Sequence, residues 1–222
     1  MVTLDRIRLI GLLRERPLRA ADGGAAHTFL RRTLLRAKRR GWQRRVAVSL
    51  TADDVIAALQ LAPHPEGGYY RETYRGQERV ATRRGERASA TAILFLVTGQ
   101  RPSRLHRLTS DELWFFHAGE PLELALLFPD GRSERLVLGR PNDALERGGS
   151  APQALVPAGV WQGARLASQA AGRRSSLGWS LTSCVVAPGF EFGDLELARP
   201  GELEVAYPHE TALIRALTAA LD

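Results

Sequence analysis

Three polar residues sit inside apolar, strand-prone runs, and they carry the chemistry this chain could perform. His106 and Glu112 lie in SRLHRLTSDELWFFHAGEPLEL, Ser103 to Leu124, with Leu108 between them and Gly119 beyond. Gln162 closes a later run, Pro157-Ala158-Gly159-Val160-Trp161-Gln162. A histidine in a pocket titrates near neutral pH and can remove a proton from carbon beside a carbonyl. A carboxylate next to it orients the ring and selects its tautomer. The pattern therefore predicts acid/base chemistry, with His106 as base, Glu112 as its partner and Gln162 as a hydrogen-bonding contact to a ligand. As metal ligands these residues are weak: His106 and Glu112 are two strong donors and Gln162 adds little, too few to hold a transition metal tightly, so no cofactor is expected.

Aromatic and further polar candidates surround these three. Trp114 and Phe116 alternate with Glu112 along one strand and would lie against a ligand. His117 is also a candidate contact, but its odd separation from Glu112 requires a bulge to bring both inward. Trp161 could stack on a ring-shaped ligand. Tyr69, Tyr70 and Tyr74 are the candidate acids; alternation puts Tyr70 and Tyr74 on one face and Tyr69 on the other, and Tyr70 is taken as a ligand contact. His64, before a proline in a turn, reads as a surface residue. Glu66 and Arg71 read as a solvated strand face, and Cys184 as a small buried residue.

The elements that position these residues are mostly short strands. Thr51 and Asp54 form a capping box that opens a helix running to about Leu61, with Leu50 and Val55 as a hydrophobic staple. Turn residues Pro65, Gly67 and Gly68 precede a strand over Tyr69–Tyr74, and residues 76–88 read as a polar loop. Further strands are predicted over Thr91–Thr98, Glu112–His117, Leu122–Phe128, Arg135–Leu138, Leu155–Val156, Trp179–Val186 and Leu195–Leu197. A terminal helix is predicted from Pro208 to Leu221. Many short strands between two helices indicate a sandwich or closed barrel.

The net charge of +7 is unevenly placed. Residues 1–48 carry 13 Lys+Arg against 3 Asp+Glu, leaving 18 against 21 in the remainder. The chain thus divides into a basic N-terminal extension, 1–48, and a mildly acidic domain, 49–222. That domain gives no electrostatic reason to bind nucleic acid. The extension could be a basic arm, an Arg-rich targeting peptide or a disordered or non-native tail. No apolar run is long enough to span a membrane. One cysteine excludes an internal disulfide and cysteine-cluster zinc sites, and it fits a reducing, cytoplasmic compartment. Phosphate loops, dinucleotide fingerprints and Ser-His-Asp patterns are absent.

The spacing of His106, Leu108, Glu112 and Gly119 resembles the first cupin signature, His-x-His, three or four residues, Glu, six residues, Gly. Leu108 replaces its second histidine. Pro157-Ala158-Gly159-Val160-Trp161-Gln162 resembles the second signature, Pro-x-Gly-x-x-His, with Gln162 replacing the histidine. HPEGGYYRETY, DELWFFHAGEPLEL, VPAGVWQ and CVVAPGFEF are similar to the cupin-5 group of unknown function, over essentially residues 50–220. The resemblance implies an all-β jelly-roll barrel with a helix at each end, often a homodimer, holding a small-molecule ligand. It also implies a fold similar to sugar-nucleotide 3,5-epimerases, in which Ser103-Arg104-Leu105-His106 would match an Arg-Gly-Leu-His segment with Arg104 shifted by one. The expected function is binding of a small polar ligand, with isomerase- or epimerase-like turnover of a sugar or nucleotide derivative. A non-catalytic binding cupin and a degenerate metal-dependent oxygenase are the alternatives.

Overall fold

The computed structural model describes residues 50–141, 149–172 and 177–220, and the basic segment 1–48 lies outside them. Helix α1, Ala52–Leu59, starts where its cap predicts. The Thr51 hydroxyl accepts from the Asp54 backbone N–H at 3.2 Å, and the Asp54 carboxylate accepts from the Thr51 N–H at 3.0 Å. Gln60, in the left-handed region at φ 55°, ends the helix two residues earlier than expected. Val55 and Leu59 pack with Leu96, Trp179 and Leu181.

Thirteen strands are described: β1 Ala62–Pro63, β2 Tyr69–Arg75, β3 Arg79–Thr82, β4 Gly85–Ala88, β5 Thr91–Thr98, β6 Ser103–Arg107, β7 Asp111–Gly119, β8 Leu122–Leu127, β9 Ser133–Leu138, β10 Gln153–Val156, β11 Trp161–Leu166, β12 Trp179–Ala187 and β13 Glu196–Leu197. One sheet has the order β1-β2-β5-β12-β7-β10, and a second has the order β13-β6-β11-β8-β9. All these pairings are antiparallel. Phe95, Val97, Trp114 and Cys184 of the first sheet meet Leu122, Leu124, Leu126, Leu138, Ala164 and Leu166 of the second. This is the double sheet of a cupin jelly roll. At roughly 25 cal/mol per Å² of apolar surface removed from water, such a two-layer interior is the main stabilising term.

The second sheet is covered outside by helices α3, Pro200–Ala206, and α4, Thr211–Thr218, which follow a single turn α2, Ala167–Ala170. Leu203, Tyr207, Leu213, Ile214 and Leu217 pack on Leu105, Ala125 and Leu127. Gly163 lets α4 approach: a Cβ there would lie 3.1 Å from Leu217 Cδ1 and 3.2 Å from the Leu105 nitrogen.

Three expectations need correction. The polar stretch 76–88 contains the β3–β4 hairpin, whose Arg87 grips Asp194 through two hydrogen bonds of 2.7 and 2.9 Å. Its charge density hid the strands. The terminal helix is not continuous: Pro208–Glu210 is a 3-10 turn before α4, and α3 precedes both. Finally, Tyr70 and Tyr74 do not share a face. The β2–β5 register shifts between Glu72 and Tyr74, which turns Tyr74 out to solvent and brings Arg75 in beside Tyr70 and Glu72.

Candidate functional site

A cavity of ≈ 130 Å³ opens beside the β2-β5-β12-β7 part of the first sheet. Its buried end is formed by His64, Glu66, Glu112 and Cys184, and its mouth by Glu72, Arg75, Glu191 and Phe192. The segment after β12 closes over it. There the Phe190 N–H donates to the Thr91 hydroxyl at 2.9 Å and Arg75 donates to the Phe190 carbonyl at 3.3 Å.

The turn between β1 and β2 places His64 and Glu66. The Gly67 N–H donates to the His64 carbonyl at 3.0 Å, and the His64 N–H donates to the Gly68 carbonyl at 3.2 Å. Gly68 has φ +58°, and a Cβ there would lie 2.7 Å from the Leu96 carbonyl oxygen, so only glycine closes this turn against β5. Arg104 at the start of β6 fastens the turn. Its N–H donates to the Glu66 carbonyl at 2.7 Å and its guanidinium to the Pro65 carbonyl at 2.7 Å.

His64 and Glu66 are both buried, so the expectation of surface positions is overturned. The turn folds inward because Tyr70, Phe95, Phe190 and Phe192 surround the His64 ring, with centroid distances of 4.5 to 6.2 Å. Sequence spacing could not show this. The only signal was the composition of the turn itself, a His and a Glu flanking Pro65.

Hydrogen-bond complementarity assigns protons in this cluster. His106 Nδ1 lies 2.8 Å from the Arg104 carbonyl oxygen, which can only accept, so Nδ1 carries the hydrogen. Neutral His106 therefore turns the Nε2 lone pair toward Glu66 Oε2, at 3.4 Å. His64 Nδ1 accepts from the Glu66 backbone N–H at 3.3 Å, and it too faces Glu66 Oε2 at 3.4 Å. The His106 lone pair thus meets a carboxyl oxygen, an arrangement that favours a proton on Glu66. The other oxygen, Oε1, accepts from the Ser103 hydroxyl at 3.0 Å.

The electrostatics agree. Burial pushes the Glu66 carboxyl up to about 8, against the opposing pull of Ser103 and Arg104. Burial, and then the proximity of His106, lowers His64 to about 4. Burial also lowers His106, outweighing the attraction of Glu112. Glu112 is raised to about 7 by burial first and by Glu66 second, while His106, Gln162 and Cys184 oppose the rise. The two carboxyls titrate as a pair near neutral pH.

Gln162 does not point at the cavity. Its Oε1 accepts the Trp114 indole N–H at 2.9 Å, which forces its amide NH2 toward Glu112 Oε2 at 2.5 Å. Register pairs Gln162 with His106 across β11 and β6. Gln162 therefore holds Glu112 rather than a ligand. The set His106, Glu112 and Gln162 is engaged within itself: Gln162 bonds Trp114 and Glu112, and His106 Nε2 faces Glu66. Among the described residues, no group of three or more His, Cys, Asp or Glu side chains is arranged to hold a metal.

The fold brings His106, Glu112, Gln162, Trp114 and Tyr70 together, with Tyr70 and Glu112 on the cavity wall. His106, 1% exposed, sits behind Glu66 rather than on that wall. Phe116 packs on the interior core without lining the cavity. Two expected contacts lie elsewhere. His117 is the extra residue of a bulge in β7, skipped where Leu181 pairs with Ala118 and Thr182 with Phe116, and it faces outward with its Nε2 2.5 Å from the Ser183 hydroxyl. Trp161 lies on the opposite face of β11 from Gln162, packing near the C-terminal helices under the Arg107 guanidinium, 4.6 Å from its ring.

Comparison with known proteins places this geometry in context. A hypothetical protein from Leishmania major is 38% identical, with a TM-score of 0.68, and the match covers 77% of this chain and 100% of that one. A protein of known structure from Shewanella oneidensis is 35% identical, with a TM-score of 0.66 and coverage of 77% and 98%. No curated protein matches. The model of one family, the Cupin superfamily (DUF985), matches residues 53–198. With the signature residues on facing strands of the two sheets of a jelly roll, the chain belongs to the Cupin superfamily, in its DUF985 group.

Proposed function

We propose that the inner cavity binds a small polar molecule and moves a proton on it, an isomerase- or epimerase-like reaction on a sugar or nucleotide derivative. One observation carries this reading: two buried carboxyls, Glu66 and Glu112, share the cavity wall and titrate near neutral pH. Glu112 in its ionised form accepts a proton from carbon beside a carbonyl. Glu66 in its protonated form returns one, which leaves Glu112 protonated and Glu66 ionised; proton exchange with solvent through the cavity mouth resets the pair, and His106 orients the Glu66 proton through its Nε2 lone pair. Groups poised near the working pH are the most effective for such transfer. The buried end suits an uncharged part of the ligand. Among the described residues, Arg75 is the one Lys or Arg on the cavity wall, and it is engaged by Glu72 at 2.8 Å and Glu191 at 2.8 Å. The free thiol of Cys184 fits action in a reducing cytoplasm.

Native mass spectrometry of protein purified without added metal, with elemental analysis, would identify a co-purified ligand. Incubating that ligand with the protein in D2O should then add deuterium at the reacting carbon. His106→Ala and Glu112→Gln should abolish the uptake while leaving the circular dichroism spectrum unchanged. Uptake at the wild-type rate in either variant would sink the reading.

A second reading, binding without turnover, is favoured by the seal on His106 and the small volume of the cavity. Drug-sized sites usually occupy roughly 300–1,000 Å³. It expects ligand retention with no deuterium uptake, and tolerance of His106→Gln.

A further inference from the structure

Leu108 replaces the second histidine of the cupin signature, and its position suggests a role of its own. It follows β6, is 5% exposed and lines two separate spaces. On one side is the inner cavity with Glu112 and Cys184. On the other is an open groove formed by Arg107, Thr109, Gly159, Asp194 and Glu196. Leu108 is the one residue that lines both. The backbone around it is fastened: the Gly159 N–H donates to the Leu108 carbonyl at 2.8 Å, and the Ala158 N–H donates to the Asp111 carboxylate at 2.8 Å. Leu108 therefore presents a branched alkyl group on an anchored backbone to both spaces, beside the Phe192–Asp194 segment, which also runs between them.

We propose that Leu108 is the specificity-determining residue of this site, the wall that limits ligands to the inner cavity and bars extension into the groove. The inference rests on the inner cavity being the ligand site. A residue with a shorter side chain would join the two spaces and admit a longer ligand, whose outer part would meet Arg107 and Glu196. A leucine there gives a dry, uncharged wall, so a ligand end abutting it is apolar or bears no hydrogen-bonding group on that side.

The sole cysteine provides a probe that needs no knowledge of the ligand. Cys184 lies on the inner cavity wall and is the only thiol in the chain. Its alkylation by iodoacetamide and by a bulky fluorescein maleimide would be followed by intact mass, in the full chain and in two variants, Leu108→Val and Leu108→Ala. Removing leucine carbons leaves a cavity that the surroundings only partly fill, so the maleimide-to-iodoacetamide rate ratio should rise by roughly tenfold in Leu108→Ala. Leu108→Val should fall between, and it keeps the test open if the alanine variant does not fold. Adding Thr109→Trp, which narrows the groove beside Leu108, should lower the raised ratio. Labelling through unfolding would ignore that tryptophan. A ratio unchanged in a folded Leu108 variant, or not lowered by Thr109→Trp, overturns the proposal. Because no turnover is read, loss of deuterium uptake would count against the proton-transfer reading without touching this one.

Discussion

The residue with most leverage is Glu66, the one carboxyl facing two imidazoles. Its protonation has a consequence for stability with a definite sign. Folded Glu66 keeps its proton up to about 8, whereas an unfolded glutamate ionises near 4.5. Between these values unfolding releases a proton, so rising pH favours the unfolded chain. Glu66→Gln cannot ionise and should escape that loss. Its stability relative to wild type should therefore increase from pH 5 to pH 8 and level off above. The gain should be on the order of 2 kcal/mol, since each tenfold change in proton affinity is worth ~1.4 kcal/mol and part is lost to relaxation. His64, lowered to about 4, destabilises the fold as pH falls below its unfolded value of 6.5, so the difference is read most cleanly above that pH. Thermal unfolding at four pH values is the measurement, and a difference that shrinks with pH would refute the protonated Glu66.

At this scale the sequence was legible in part. Signature spacing puts His106 and Glu112 on strands of the two facing sheets, and these two do come together. Glu66 and His64 were not found, because a turn has no periodicity to tell inward from outward. What turns them in is a ring of aromatics contributed by Tyr70, Phe95, Phe190 and Phe192, distant in sequence. Gln162 was found at the right position with the wrong partner. Its amide serves Glu112 because Trp114, on a strand of the facing sheet, takes the other end.

At the scale of elements, two departures from regular geometry build the site. The β2 bulge swings Arg75 to the cavity mouth, and the Gly68 turn brings His64 and Glu66 to its floor. Strand existence was readable from alternation, but a bulge changes the facing of everything after it, and no residue in Tyr69–Arg75 announces one. The charged hairpin β3–β4 was missed for a related reason: its strands are held by Arg87 and Asp194 rather than by an apolar face. The turn can be tested by comparison with a second glycine. Gly68 and Gly131 both have positive φ, but only at Gly68 would a Cβ strike backbone, and nothing lies within 4 Å at Gly131. Gly131→Ala should cost about 1 kcal/mol from conformation alone. Gly68→Ala should cost about 2–4 kcal/mol, because strain and collision add. Equal losses of melting temperature would show that the turn is not tightly seated on β5.

For the whole molecule, Leu50–Asp222 is a compact unit, and among the described residues no helix is long and apolar enough to cross a membrane. The family resemblance carries an expectation of a homodimer, which light scattering would register as about twice the chain mass of 24.4 kDa. A mass of one chain across the micromolar range would refute it.

Charge separates the two parts of the chain more sharply than any other property. The sequence pI of ≈ 10.6 suggests a polyanion-binding protein, yet the 13 Lys+Arg of residues 1–48 account for it, and the remainder is slightly acidic. Binding through backbone phosphates releases counterions, so its affinity falls with salt in proportion to the phosphates neutralised. The full chain should therefore bind a fluorescent oligonucleotide with a steep salt dependence, and a chain starting at Leu50 should not bind it at any salt concentration. Fluorescence anisotropy at stepped salt would separate the two. Salt-sensitive binding retained by the shorter chain would mean that Arg84 and Arg107, beside the groove outside Leu108, act on nucleic acid despite their pairing with Asp194 and Glu196. Its absence would place any polyanion affinity in the extension and leave the cavity to small molecules.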